Sequence, residues 1–115
     1  MRIIKSLNFH GCTSIDPDNM TIFLKYCKTL RALNISYCSQ LNVRHISTLV
    51  ESLNGIPCLE KLQAESICPF SVEIVWELLG TLKLKELDLT LTWGPPSEWV
   101  ELLTHYPNVK FGKQL

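Results

Sequence analysis

The sequence predicts an α/β chain wound as a right-handed solenoid, with a parallel β-sheet on its concave face and helices on its convex face. Three observations predict this. The spacing L-x-x-L-x-L recurs four times, as Ile4-Leu7-Phe9-Cys12, Leu30-Leu33-Ile35-Cys38, Leu59-Leu62-Ala64 and Leu84-Leu87-Leu89. Its period is regular, because Leu7, Leu33, Leu62 and Leu87 lie 26, 29 and 25 residues apart. Such self-similarity marks stacked units, each too small to bury an apolar face alone. Finally, a helical segment follows every copy, and strands joined through crossovers of that length run parallel.

Strand one covers about Lys5 to His10. Asp16-Pro17-Asp18 supplies an N-cap, a first-turn proline and an acid at the positive end of the helix dipole. The helix it opens carries Met20, Phe23, Leu24 and Cys27 as an inward stripe. Strand two is about Arg31 to Ser36. Its helix starts near Asn42, buries Ile46, Leu49, Val50 and Leu53, and stops at Gly55-Ile56-Pro57. Strand three, about Glu60 to Glu65, precedes a helix capped by Ser71, with Ile74, Val75, Leu78 and Leu79 inside and Gly80 at its end. Strand four, about Lys85 to Thr92, alternates Leu87, Leu89, Leu91 and Trp93 on one side. Gly94-Pro95-Pro96-Ser97 breaks it and launches a helix bearing Val100, Leu102 and Leu103. Pro107 follows, and Val109 and Phe111 restate the strand anchors as a stub.

This grammar is that of a leucine-rich repeat. About four and a half repeats fill one domain over 1–115, with units at roughly 1–29, 30–57, 58–82 and 83–106 and a terminal strand stub at 107–115. The segment LKYCKTLRALNISYCSQL, Leu24 to Leu41, resembles the cysteine-containing repeat of F-box/leucine-rich repeat adaptor proteins. Cys12 and Cys38 stand where the commoner repeat has asparagine. CKTL before strand two and YPNV at Tyr106 to Val109 resemble that family's helix-to-strand joints. The chain departs from the pattern where Cys68 comes one residue late behind Ile67, and where Thr92 replaces a cysteine. No F-box segment precedes the first repeat. The resemblance implies an adaptor whose repeats hold the substrate of a ubiquitin ligase, with ligase components as partners. A related group, similar to the mitochondrial coupling factor B proteins, uses the repeat without an F-box and implies an assembly subunit instead.

Composition narrows the partners. Of 115 residues, 46% are hydrophobic and 19% charged, which places the chain in the globular class. Eleven basic residues balance eleven acidic ones, so nucleic acid and anionic membranes gain no electrostatic attraction. No apolar run approaches the roughly 20 residues of a membrane span, and the N-terminus turns polar too early for a signal peptide. The five cysteines, Cys12, Cys27, Cys38, Cys58 and Cys68, are odd in number and sparse, which favours free thiols in a reducing, intracellular setting. That setting is cytoplasmic or nuclear, with a mitochondrial one also compatible. The sequons at Asn19 and Asn34 carry no weight without a secretory route.

Chemistry has little purchase. His10, His45 and His105 fall in different units, and no nucleophile stands in a frame with a base and an orienting group. No phosphate loop or paired-carboxylate pattern occurs. Cys12 and Cys38 occupy equivalent places, yet there is no C-x-x-C and no tetrahedral ligand set. Their expected role is packing, with the S–H bonded to a neighbouring carbonyl. No enzyme, cofactor or metal is expected.

The outward strand positions are the better candidates, because side chains alternate across a strand. They are Ser6, Asn8 and His10, then Ala32, Asn34 and Ser36, then Lys61, Gln63 and Glu65, then Glu86, Asp88 and Thr90. Glu65, Glu86 and Asp88 favour a basic segment of a protein or peptide. Trp76 and Trp99 read as packing residues, whereas Trp93 beside the glycine-proline run could anchor an interface. At the C-terminus, Lys110, Gly112 and Lys113 make a charged edge strand that discourages pairing. At the N-terminus strand one lacks a cap, so Met1 is expected to begin part-way into an ancestral array, or another chain covers this edge, with self-association one form of that cover.

Overall fold

In the computed structural model the structure describes residues 4–41, 43–67, 71–89 and 96–111. The architecture is α/β. Strands β1 (Ser6–Asn8), β2 (Ala32–Asn34), β3 (Lys61–Gln63), β4 (Glu86–Asp88) and β5 (Lys110–Phe111) alternate with helices α1 (Pro17–Leu24), α2 (Val43–Asn54), α3 (Val72–Thr81) and α4 (Pro96–His105). The strands form one sheet in chain order, and every neighbouring pair is parallel. Successive helices pack against each other, α1 on α2, α2 on α3 and α3 on α4.

One hydrogen-bond arrangement joins each unit to the next. The Lys5 carbonyl accepts from the Arg31 and Ala32 amides at 2.8 and 3.0 Å, and the Arg31 carbonyl accepts from Glu60 and Lys61 at 2.8 and 3.0 Å. The Glu60 carbonyl then accepts from Lys85 and Glu86 at 2.7 and 3.1 Å. This shared register brings Leu7, Leu33, Leu62, Leu87 and Phe111 side by side in one row. Phe111 thus takes the second-anchor position, and Val109 precedes the strand.

Strands β1, β2 and β3 are shorter than the repeat spacing suggests, because the chain turns soon after each of them. Gly11, Tyr37 and Ser66 occupy matching positions in that turn, all with left-handed backbone at φ 72°, 60° and 53°. Only glycine adopts that conformation freely, and for Tyr37 and Ser66 the cost is about 1–2 kcal/mol each. The Tyr37 amide, held by the Glu65 carbonyl at 2.8 Å, helps offset it.

The helix signals are where the sequence places them. Asp16 caps α1 by accepting from the Asp18 amide at 2.9 Å, with Pro17 in the first turn. Ser71 caps α3 by accepting from the Ile74 amide at 3.3 Å. Two inward assignments and one helix stop need correction. Phe23 is 43% exposed and Val100 60% exposed, while Met20, Leu24, Cys27, Trp99 and Leu102 are buried in their helices' stead. Gly80 does not end α3, which continues to Thr81. Asn42, the side chain of Ile46, Cys68, and Leu91 to Pro95 lie outside the described residues.

Helix stripes and strand anchors meet in one core that runs from Met20 to Leu102. Leu30, Leu33, Ile35, Cys38 and Leu41 are all buried, whereas Ile4, Leu7, Phe9, Cys12 and Ile15, their counterparts one unit earlier, are only half-buried. Apolar residues at equivalent positions differ because, among the described residues, only the later set has a unit on both sides. Leu62→Ala, in the middle of the row, should therefore cost about 2–5 kcal/mol of stability and Leu7→Ala clearly less. Urea denaturation followed by circular dichroism measures both.

Candidate functional site

The sheet face turned away from the helices is built by alternation. In β2, β3 and β4 the central leucine is buried and its two neighbours are partly exposed, and in β1 the flanking Ser6 and Asn8 are exposed. Parallel register sorts these neighbours into two rows. One runs Ser6, Ala32, Lys61, Glu86, Lys110, and the other runs Asn8, Asn34, Gln63, Asp88. A shallow depression of about 240 Å³ lies over β3 to β5, between Lys61, Gln63, Glu86, Asp88 and Lys110. Larger grooves of about 350 and 410 Å³ lie on the helix side, between α1 and α2 and between α2 and α3. The first is lined mainly by polar residues of the helix flanks such as Thr21, Lys25, Thr48 and Glu51, and the second adds the apolar Val50 and Ile74.

Ser36 leaves the outward set. It is 2% exposed, its hydroxyl accepts from the Glu65 amide at 3.0 Å, and its own amide donates to Asn34 Oδ1 at 2.9 Å. Alternation ends at the turn, so Ser36 becomes a peg between units rather than a surface group. His10, its counterpart in the first unit, stays exposed and lies 5.1 Å from the Tyr37 ring. Asn8 and Asn34 each accept an amide two residues on, from His10 and Ser36 at 2.9 Å, so their carboxamides shape the turn as well as the face. Glu65 is partly exposed, and Thr90 and Trp93 lie outside the described residues.

Charges on this face pair across strands. Lys61 Nζ lies 3.4 Å from Glu86 Oε2. Glu60 bridges Arg31 at 3.6 Å and Lys85 at 3.2 Å. Hydrogen bonding to Lys85, followed by the charges of Lys85 and Arg31, holds the Glu60 carboxyl below its ordinary range. Glu86 therefore sits between Lys61 and Lys110 in its row, and Glu65 and Asp88 are, like Glu86, partly exposed. Sequence reasoning missed Lys110, because only the register of β5 shows that it joins the row. It also missed Tyr37, whose left-handed backbone has no signature in a tyrosine.

The cysteines pack. Cys38 Sγ donates to the Phe9 carbonyl at 3.0 Å across units, and Cys27 Sγ donates to the Phe23 carbonyl at 3.5 Å within its turn. Burial pushes both thiols up, and for Cys38 the Cys12 backbone hydrogen bond opposes the rise. Cys12, Cys27, Cys38 and Cys58 are free thiols. Trp99 is buried, and Trp76 packs 5.1 Å from His105 and 5.7 Å from Tyr106. His10, His45 and His105 remain in three separate units. Among the described residues no helix is long and apolar enough to cross a membrane, and no group of three potential metal ligands comes together. No protein-family model matches the chain, and no curated protein matches it.

Two measurements follow from these placements. Among the four described cysteines, an aromatic disulfide reagent should label exposed Cys58 fastest, and Cys27 and Cys38 only after denaturant, with labelled peptides identified by mass spectrometry. Glu60 has its folded pKa depressed, so its stabilisation is present above the unfolded value and is lost as pH falls through the folded one. Wild type should accordingly exceed Glu60→Gln in stability at neutral pH, and the difference should vanish once the pH falls below the depressed folded pKa of Glu60.

Proposed function

We propose that the chain is a right-handed leucine-rich repeat solenoid that acts as a non-catalytic protein-binding module, its outward sheet face being the concave binding surface. What carries this reading is the pair of in-register side-chain rows, which present small neutral groups over β1 and β2 and charged groups over β3 to β5. Extended surfaces of this kind are what solenoids use to hold protein segments. The partner is an extended peptide with a basic stretch that lies over Glu65, Glu86 and Asp88. By resemblance to F-box adaptors, the bound segment belongs to a substrate of a ubiquitin ligase. The absence of a family-model match leaves that resemblance resting on the cysteine-type repeat and its joints alone.

A second reading, an assembly subunit like the coupling factor B group, is favoured by the half-buried apolar residues of the first unit. Migration in lysate separates the two, since an assembly subunit travels with a large particle. The binding reading is tested by titrating short lysine- and arginine-rich peptides against wild type, Asp88→Lys and a control, Lys25→Glu, in the α1–α2 groove. Asp88→Lys should weaken binding about tenfold, the size expected when an exposed attraction becomes a repulsion. The control should bind as wild type, and equal binding by Asp88→Lys would remove that residue from the site.

A further inference from the structure

Strand register sorts charge along the strands as well as across them. The residues just before the strands, Lys5, Arg31, Glu60 and Lys85, are equivalent, because each carbonyl accepts from the start of the following unit. Their side chains meet in line. Glu60 lies between Arg31 at 3.6 Å and Lys85 at 3.2 Å, so one carboxylate is shared by two exposed cations. With exposed Lys5, this row carries a surplus of two positive charges. The first strand row adds Lys61, Glu86 and Lys110, a surplus of one more. Toward the strand ends the sign reverses. The row Asn8, Asn34, Gln63, Asp88 holds one carboxylate, and the next, His10, Ser36, Glu65, holds another. Neither has a lysine or arginine among its described residues. The sheet face therefore has a basic border at its strand starts and an acidic border at its strand ends. Lys85 and Asp88 are three residues apart along the chain, about 10 Å. At physiological salt charges are screened over roughly 8 Å, so the two borders act as separate fields.

We propose that the segment held by this face carries acidic residues alternating with its basic ones, the acids docking on the Arg31–Lys85 border and the bases on Glu65 and Asp88. The proposal rests on the protein-binding reading and adds to it the partner's second charge. An extended backbone is about 5 Å across and sends successive side chains to opposite sides. Laid across the strands, between borders about 10 Å apart, it points odd residues at one border and even residues at the other. A purely basic segment would set half its charges against Arg31, Lys61 and Lys85. A purely acidic one would meet Glu65 and Asp88. Like charges facing each other across an interface exclude wrong partners, so the two borders together select for alternation. The pairs within the sheet do not block docking. They are exposed pairs that cost little to open, and one Glu60 carboxylate cannot neutralise both Arg31 and Lys85.

Fluorescence anisotropy on the full chain at low salt tests this with labelled probes of about ten residues, long enough to cross all five strands. One alternates glutamate and lysine, one has the same residues in two blocks, and one is lysine alone. The alternating probe should bind at least about fivefold tighter than the block probe, since their net charges are equal and only alternation serves both borders. Arg31→Glu combined with Lys85→Glu should weaken the alternating probe about tenfold and leave the lysine probe no weaker. Lys5→Glu, which keeps the Glu60 ion pairs in place, should act in the same direction to a smaller extent, with the circular dichroism spectrum unchanged. Equal binding of the alternating and block probes overturns the proposal, and so does an alternating probe that neither variant weakens. In both cases a lysine probe that binds, and is weakened by Asp88→Lys, leaves the binding reading standing. If no probe binds, the reading and the proposal fall together.

Discussion

Everything in this fold depends on one unit leaning on the next. A three-residue strand and a two- or three-turn helix cannot enclose an apolar interior. The row of Leu7, Leu33, Leu62, Leu87 and Phe111 becomes an interior only because the carbonyls of Lys5, Arg31 and Glu60 each receive a pair of amides from the following unit. The energetic content of that arrangement is visible in the first unit, where Ile4, Leu7 and Phe9 stay half-open while Leu30, Leu33 and Ile35 are sealed. Burying a leucine or isoleucine fully is worth about 1.5–3 kcal/mol, so the neighbour supplies much of what each unit lacks.

The same register that seals one face organises the other. Lys61 and Glu86 neutralise one another because β3 and β4 set them side by side, and Glu60 ties Arg31 to Lys85 for the same reason. These are exposed pairs, each worth little in stability, so their consequence is local potential rather than rigidity. The face presents carboxylates at Glu65, Glu86 and Asp88, and of these Glu86 is drawn toward Lys61.

Much of the architecture was legible in the sequence, and the reasons are physical. Asp16-Pro17 and Ser71 announce helix starts through local bonds that need no tertiary context, and the leucine spacing announces strands because buried positions must recur. Where reading failed, the cause was non-local or conformational. Phe23 and Val100 have apolar side chains at roughly helical spacing, but their exposure depends on which flank each helix turns to its neighbour. Ser36 continued an alternation that the left-handed turn at Tyr37 cuts short. Gly80 looked like a stop signal, yet α3 runs on for one more residue because nothing at that point demands a left-handed backbone. Of the candidate face, the rows themselves could be read in advance, whereas the pairing of Lys61 with Glu86 and the arrival of Lys110 required the register.

A repeated handshake has no built-in count. Arg31 offers Lys5 what Glu60 offers Arg31 and what Lys85 offers Glu60, so an extra unit spliced between the second and third would meet a compatible surface above and below. The junction itself therefore does not fix how many strand–helix units the sheet can hold.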